Sequence, residues 1–523
     1  MSSPSVDLPW LFLGARLVFD PAAVAFLAST ALVWLLAGWH ALGALEGSPH
    51  RTRFLGFFML TMVANLLVTV SGDAVTFLLG YSVMGIAAYP LVVHHGNSVA
   101  IRVGRSYLLV MIAGEGALLA AILLTGSTPD LNLLPLTFTT WTTAALVVVG
   151  FGVKAGIPGL HAWMPATYSV APTAAASALA GATVGTGVLG LLRFGVFGPD
   201  FPIPPAALLV GGAGAAVFGV VRGLMRLEPE RILAYSSVSQ MGIAIAALGA
   251  AATQSGGALS SGTFEPAGSA ALALSAFIAH HALAKASLFL GVGVLRSGEA
   301  SSDTRVRRTR LALLAVPAMA LAGLPLTSGA LAKGALTYGL PGAGIQTFFL
   351  ASAAGSTALM LHFLAAAART HRRVRTTGEA TPREGPWLIS VAAVVLGVWL
   401  WPAFHDFAVH ALEPAVLLHG LWPPALGAGL WAALYVVDWK PTRRPSFTDR
   451  LAHRAGVRWD SWLSRRQEGR PEFRHLPARA RRQGRHAALV SEGLVEKLDE
   501  RVGTWTLTGV LFLALVLTLR ALF

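Results

Sequence analysis

The chain is 523 residues long, 54% hydrophobic and only 12% charged, with 39 Lys and Arg against 25 Asp and Glu and a formal charge of +14. Apolar runs of about 18 residues or more recur along it, which excludes a soluble globular domain and predicts an all-α polytopic membrane protein. The absence of cysteine excludes disulfides, iron–sulfur ligation and thiolate metal sites within the chain; no cofactor is expected, and any redox centre would belong to a partner.

In chain order, about fourteen spans are expected on the criterion of roughly 20 apolar residues per crossing: near 22–40, 54–70, 74–95, 104–125, 141–157, 171–194, 204–221, 232–251, 269–295, 311–340 (broken), 342–367, 386–402, 413–437 and 503–523. The runs do not alternate as the strands of a membrane β-barrel would. The first run lacks a preceding basic region and a following small-residue cleavage site, so no cleavable signal peptide is expected. Helix-breaking residues interrupt two spans, at Phe151-Gly-Val-Lys-Ala-Gly-Ile-Pro-Gly159 and at Ala322-Gly-Leu-Pro-Leu-Thr-Ser-Gly-Ala-Leu-Ala-Lys333. Breaks at membrane depth are tolerated only where protein or water satisfies the freed backbone. A pair of them in corresponding halves predicts two inverted five-helix repeats, over about 54–194 and 204–367. Around these lie an N-terminal helix and loop (1–53), accessory spans (368–437), a polar segment (438–502) and a last span (503–523).

The basic residues gather in particular loops. Arg51/Arg53, Arg102/Arg105, Arg222/Arg226/Arg231, Arg305/Arg307/Arg308/Arg310, Arg369/Arg372/Arg373/Arg375 and segment 438–502 fall on one side if the spans alternate, while the loops near 126–140, 196–203, 252–268 and 403–412 carry almost none. The positive-inside rule makes the basic side cytoplasmic and puts both termini on the non-cytoplasmic side of the cell inner (cytoplasmic) membrane. Segment 438–502 holds 16 Lys or Arg and 8 Asp or Glu between Lys440 and Arg501. It reads as a membrane-surface segment on anionic lipid, with Trp459 and Trp462 at the interface, or as a docking surface for a partner. Without a recognisable reading module the charge does not indicate nucleic acid.

Only five lysines occur against 34 arginines, and three of them, Lys154, Lys285 and Lys333, sit inside apolar spans. A lysine there can give up its proton whereas an arginine cannot, so a proton relay uses Lys where a fixed cation uses Arg. The alternative for each is a structural ion pair or a snorkelling side chain. His281 stands four residues before Lys285, on the same helix face, and carries an imidazole suited to passing protons. His280, on another face, reads as packing or a water contact. Glu115 is a lone carboxylate in mid-span, either functional or a neutral acid hydrogen-bonded in the bundle. His161, Glu230 and Arg231 are candidates for proton uptake at the cytoplasmic mouth, against readings as an interface anchor and a loop-end charge cluster with Glu228. Asp73 reads as a helix cap near the outer surface. No phosphate loop, nucleophile or metal constellation is present, so no catalytic residue is assigned.

The segment Lys154-Ala-Gly-Ile-Pro, with His161-Ala-Trp-Met-Pro165 and Ala171-Pro-Thr-Ala-Ala-Ala-Ser-Ala178, the run Leu233-Ala-Tyr-Ser-Ser with Gln240-Met-Gly, and His281-Ala-Leu-Ala-Lys285-Ala-Ser-Leu-Phe-Leu290 together resemble a known family. It is that of the antiporter-like membrane subunits of respiratory complex I, membrane-bound hydrogenases and Mrp cation/proton antiporters. The resemblance spans about 18–400 and implies two half-channels joined by a hydrophilic axis, with Lys154 on the first broken helix, Lys285 and His281 at the centre, and Lys333 on the second broken helix. Three departures stand out. A Trp-Glu pair of the family is Tyr81-Ser82 here, a His or Lys position is Gly181, and the motifs would start the chain at the family's third helix. The first half-channel is therefore expected to be altered, with Glu115 a substitute for the missing acid.

The resemblance implies a proton-translocating subunit, itself non-catalytic, of a multisubunit energy-coupling complex of the redox-driven type, moving H⁺ and conceivably Na⁺ alongside other membrane and cytoplasmic subunits and lipid. Two alternatives stay open. One is the membrane subunit of an inorganic-carbon uptake complex, paired with a zinc carbonic-anhydrase-like protein. The other is a degenerate scaffold subunit.

Overall fold

The computed structural model describes residues 4–11, 14–125, 134, 136, 138–195, 201–254, 268–296, 304–340, 343–369 and 384–436. The basic segment 438–502 and the span expected at 503–523 lie outside the described residues. The described part is mostly helical, with one correction to the all-α expectation. Strands β1 (Ser5–Leu8) and β2 (Ala15–Val18) form an antiparallel hairpin with Ser5 opposite Val18. Leu17 of the hairpin bridges Ser71, which ties it to the end of a membrane helix and satisfies backbone groups that a free strand would leave unpaired.

Helices α1 (Pro21–Ala44), α2 (Arg51–Val70), α3 (Ala74–Ala87) with α4 (Tyr89–Val92), and α5 (Ser98–Leu123) follow. Asp20 caps α1 and Asn97 caps α5, and Asp73 caps α3 as expected, accepting from the Thr76 N–H at 2.7 Å. The first broken span is α6 (Trp141–Ala155) and α7 (Trp163–Val170). Next come α8 (Thr173–Ala178), a π-helical turn at Leu179–Thr183, and α9 (Gly185–Arg193) in one continuous rod. Helices α10 (Pro205–Leu224), α11 (Pro229–Gln254) and α12 (Gly268–Arg296) lead to the second broken span, α13 (Thr304–Ala322) and α14 (Ser328–Gly339). Helix α15 (Ala343–Arg369) is followed by shorter pieces: α16 (Gly385–Leu396), α17 (His405–Ala411), α18 (Pro414–His419) and α19 (Trp422–Val436).

Among the described residues, nine helices are long and apolar enough to cross a membrane, against the fourteen or so expected along the whole chain. The difference within the described part lies where expected spans form shorter helices, as at 141–157 and 413–437, and at 311–340, where α13 is long enough but carries four arginines and α14 is short.

Both breaks have the same local construction. At the end of α6, Gly156 takes φ 73° and its N–H and that of Ile157 both reach the Gly152 carbonyl. At the end of α13, Gly323 takes φ 92° and the Gly323 and Leu324 N–H groups both reach the Met319 carbonyl. A left-handed glycine followed by a bond back across the last turn is the standard way to close a helix, and it leaves the next residues free to change direction. Leu326, at φ 65°, is held in a conformation that a β-carbon resists, just before Thr327 caps α14.

Helices α11 and α12 are buried on nearly every side and form the centre of the bundle. Helices α10 and α11 meet at glycines: a β-carbon on Gly212 would lie 2.4 Å from the Ala246 N, and one on Gly242 would lie 2.5 Å from the Ala216 N. In lipid such small-residue seams let backbones approach and gain dispersion contact. We expect Gly242→Leu to lower the melting temperature in detergent, since the obstacle is backbone and cannot rotate away, at about 1–3 kcal/mol or more. Gly214→Leu, with nothing within 4 Å of its added β-carbon, is the matched control expected to change little.

Contacts identify the two ends of the bundle. At one end Arg16 N–H donates to Asp73 at 2.8 Å and Arg193 pairs with Asp20 at 3.1 Å. At the other, arginine-bearing end, Arg296 pairs with Glu230, Arg310 with Glu384, and Arg226 donates to the Tyr235 hydroxyl at 3.1 Å.

Candidate functional site

Three clusters of buried polar side chains follow one another through the bundle. The first surrounds Lys154, in the last turn of α6 before the break and 1% exposed. Its amine donates to the Met111 sulfur at 3.3 Å and lies 4.9 Å from the centre of the Tyr81 ring. Glu115 approaches from α5 and is hydrogen-bonded by Ser82. Glycine at position 85 makes this possible: a β-carbon there would lie 2.1 Å from the Glu115 Oε1 and 3.5 Å from the Lys154 Nζ. Tyr81 and Ser82, the pair that departs from the family pattern, thus face the lysine and the carboxylate respectively. The Trp163 indole N–H donates to the Val153 carbonyl at 2.8 Å and so spans the break.

The second cluster is at the middle of α12. Lys285 is fully buried, and its amine donates to the Leu233 carbonyl of α11 at 2.7 Å. Among the described residues no carboxylate stands within ion-pair reach of it. His281, one turn earlier on the same face, is also fully buried, and neither ring nitrogen has a hydrogen-bond partner.

The third cluster is at the second break. The Lys333 amine turns back to the end of α13, donating to the carbonyls of Leu321 at 3.2 Å and Ala322 at 2.9 Å. These are carbonyls that the end of a helix leaves without an intrahelical partner, so the lysine replaces a backbone donor. Close by, His280 Nδ1 and the Ser328 hydroxyl are 3.0 Å apart. His280, expected from the sequence to make a packing or water contact, meets Ser328 beside the second break, and the adjacent pair His280-His281 is the one sequence signal that points there.

Between the first and second clusters the rod α8–α9 passes with its π-helical turn at Gly181. Extra-residue turns of this kind commonly mark functional positions. A β-carbon on Gly181 would lie 2.7 Å from the Ala282 carbonyl of α12 and 3.2 Å from the Val33 side chain. The place where the family carries a His or Lys is therefore occupied by the packing of α1 and α12.

The three residues expected at a proton-uptake mouth are divided. His161 sits against the rings of Phe218 and Tyr235, with centroids 5.0 and 5.7 Å away. Glu230 is 8% exposed and pairs with Arg296, joining the start of α11 to the end of α12. Arg231 lies 3.6 Å from Glu228. No sequence signal linked Glu230 to Arg296, because the two are 66 residues apart.

Residues 71–359, more than half of the chain, match the family described as NADH:quinone oxidoreductase/Mrp antiporter, TM. The chain belongs to this family. Proteins similar to it include an uncharacterized protein of Mycobacterium tuberculosis, 28% identical over 352 residues, which cover 64% of this chain and 54% of that protein. Hydrogenase-4 component B of Escherichia coli is 29% identical over 255 residues, 46% of this chain and 37% of that one. NADH-quinone oxidoreductase subunit N of Desulforudis audaxviator is 27% identical over 388 residues, 68% and 72% of the two chains. The chain thus spans about half the length of the first of these relatives. A chain from the structure of the Mrp complex of a Dietzia species shares the fold, with a TM-score of 0.65 and 22% identity over 95% of this chain and 58% of that one. The protein is an antiporter-type membrane subunit by family, with a multi-pass helical body.

Proposed function

We propose that the chain is a proton-translocating subunit of a multisubunit energy-coupling complex, in which Lys154, Lys285 and Lys333, with His281 and Glu115, pass protons along the centre of the bundle. The observation that carries this reading is the condition of Lys285, fully buried and held by a backbone carbonyl alone. A structural lysine at that depth needs an acid beside it, because an unpaired charge in a low-dielectric interior costs several kcal/mol. A lysine that takes up and releases a proton does not. Lys333 is similarly attached only to backbone carbonyls.

On this reading the two breaks belong to two inverted repeats, 54–194 and 204–367, each contributing half of the path, and the arginine-bearing end faces the cytoplasm. Glu115 supplies to Lys154, from α5, the acid absent from α3. The packed Gly181 makes the passage from the first cluster to the second the narrowest part of the path. His161 would then stand where protons arrive from the cytoplasm, whereas Glu230, neutralised by Arg296, serves as a brace between α11 and α12.

Purification in mild detergent followed by mass spectrometry tests the assembly. Further membrane subunits with quinone-type or iron–sulfur partners are expected to accompany the chain. A lone zinc-bearing soluble partner would move the assignment to carbon uptake, and a chain that purifies alone would count against a complex.

A further inference from the structure

The His280 ring is 1% exposed and faces α14 from the neighbouring α12. The Ser328 hydroxyl that meets its Nδ1 also donates to the Val394 carbonyl. A hydroxyl has one proton to give, so Ser328 must accept from the imidazole, and the proton of the neutral ring sits on Nδ1. This leaves Nε2 as a bare lone pair, buried and without a hydrogen-bond partner. It points at Gly329, where a β-carbon would lie 3.0 Å from it. Lys333 is four residues further along α14, on the same face, and within electrostatic reach of the ring. On its other side, His280 adjoins His281, and Lys285 is one turn beyond that.

Resting on the proton-translocating reading above, we propose that His280 is the group that carries the proton from the Lys285 helix to the Lys333 helix. The Lys285 ammonium gives up a proton by way of His281, and the His280 Nε2 lone pair accepts it, directly or through water, to form an imidazolium whose Nδ1–H stays on Ser328. Nε2 then releases its proton to the Lys333 amine. One proton has left Lys285, one has reached Lys333, and the ring is back in its starting tautomer. Ser328 is a positioning residue that keeps Nδ1 engaged and Nε2 aimed at the break.

The purified complex reconstituted in liposomes with an internal pH-sensitive dye, under a potassium-diffusion potential, provides the test. His280→Asn keeps an N–H where Nδ1 meets Ser328 but cannot take up a proton. We expect it to cut the initial proton flux at least about tenfold while the melting temperature and subunit content stay as in wild type. His280→Gln, which places its amide near the Nε2 position, is the second variant should the first fail to assemble, and the same loss is expected. A flux within twofold of wild type in a well-assembled His280→Asn or His280→Gln complex overturns the assignment. Lys285→Ala run alongside separates the two levels. If that variant conducts like wild type, the relay itself fails, whereas loss in Lys285→Ala with retention in His280→Asn removes His280 alone.

Discussion

Lys285→Met is expected to assemble with wild-type yield and to reduce proton flux by about 10²-fold or more, the scale on which a positioned proton-transfer group matters. The two halves of this expectation have one cause. Lys285 is fully buried and its amine meets only the Leu233 carbonyl, so replacing it strands no counter-ion. Methionine fills nearly the same volume, and the freed carbonyl still has its place in the α11 ladder, which keeps the structural cost small. What is lost is a side chain able to exist both with and without its proton at that depth. Arginine in the same place, Lys285→Arg, keeps a charge but cannot release it, and we expect it to be as inactive as methionine and less stable. The readout is flux in liposomes together with thermal melting of the purified complex. A methionine variant that melts sharply lower would mean that the lysine is structural.

The opposite signature is expected at the other end of the bundle. Arg193 and Asp20 pair at 3.1 Å with side-chain exposures of 4% and 1%, and Asp20 also accepts from the Ala23 N–H at 2.8 Å to cap α1. Here two buried charges do compensate one another. Removing one of them, as in Arg193→Leu, leaves a buried carboxylate against the start of α1 and is expected to cost about 3–5 kcal/mol. The double replacement Asp20→Asn with Arg193→Met removes both charges while keeping a cap on α1, and should recover most of that loss. Thermal melting of the single and double variants checks this. If the two single losses simply add, the pair contributes nothing as a pair. The neighbouring hairpin β1–β2, held to Gly72 and Asp73 through Arg16, is expected to loosen with Arg193→Leu, visible as faster amide exchange at 15–18.

The different behaviour of these two sites bears on how much of the molecule can be read from its residues in order. Helix formation, helix ends and caps rest on local chemistry and are legible in the residues in order. Long apolar runs must become helices in lipid because no water is present to satisfy an open backbone. The breaks at Gly156 and Gly323 follow from a residue that tolerates positive φ placed beside a proline that cannot continue a helix. Asp73 caps α3 because a short acceptor precedes a run of helix formers. The lysines were conspicuous for a thermodynamic reason that does not depend on neighbours: an amine in the middle of an apolar span is costly wherever it points.

What only the tertiary structure decided is the identity of the partner each buried group meets. Helical periodicity shows that His280 and His281 project in different directions, yet it does not say that one of those directions contains Ser328, 48 residues away. The resemblance, with its acid missing at Ser82, offered the lone mid-span carboxylate Glu115 as a replacement, but the approach to Ser82 and Lys154 across Gly85 exists only because three helices converge there. Arg193 with Asp20, and Glu230 with Arg296, were hidden for the same reason. The short hairpin at the N-terminus was missed because two four-residue strands carry too little pattern to be told from loop. A sequence encodes helix faces and helix ends through interactions within a few residues. Which faces meet is set by the packing of the whole bundle, and the difference between a lysine held by a carbonyl and an arginine held by a carboxylate appears only at that level.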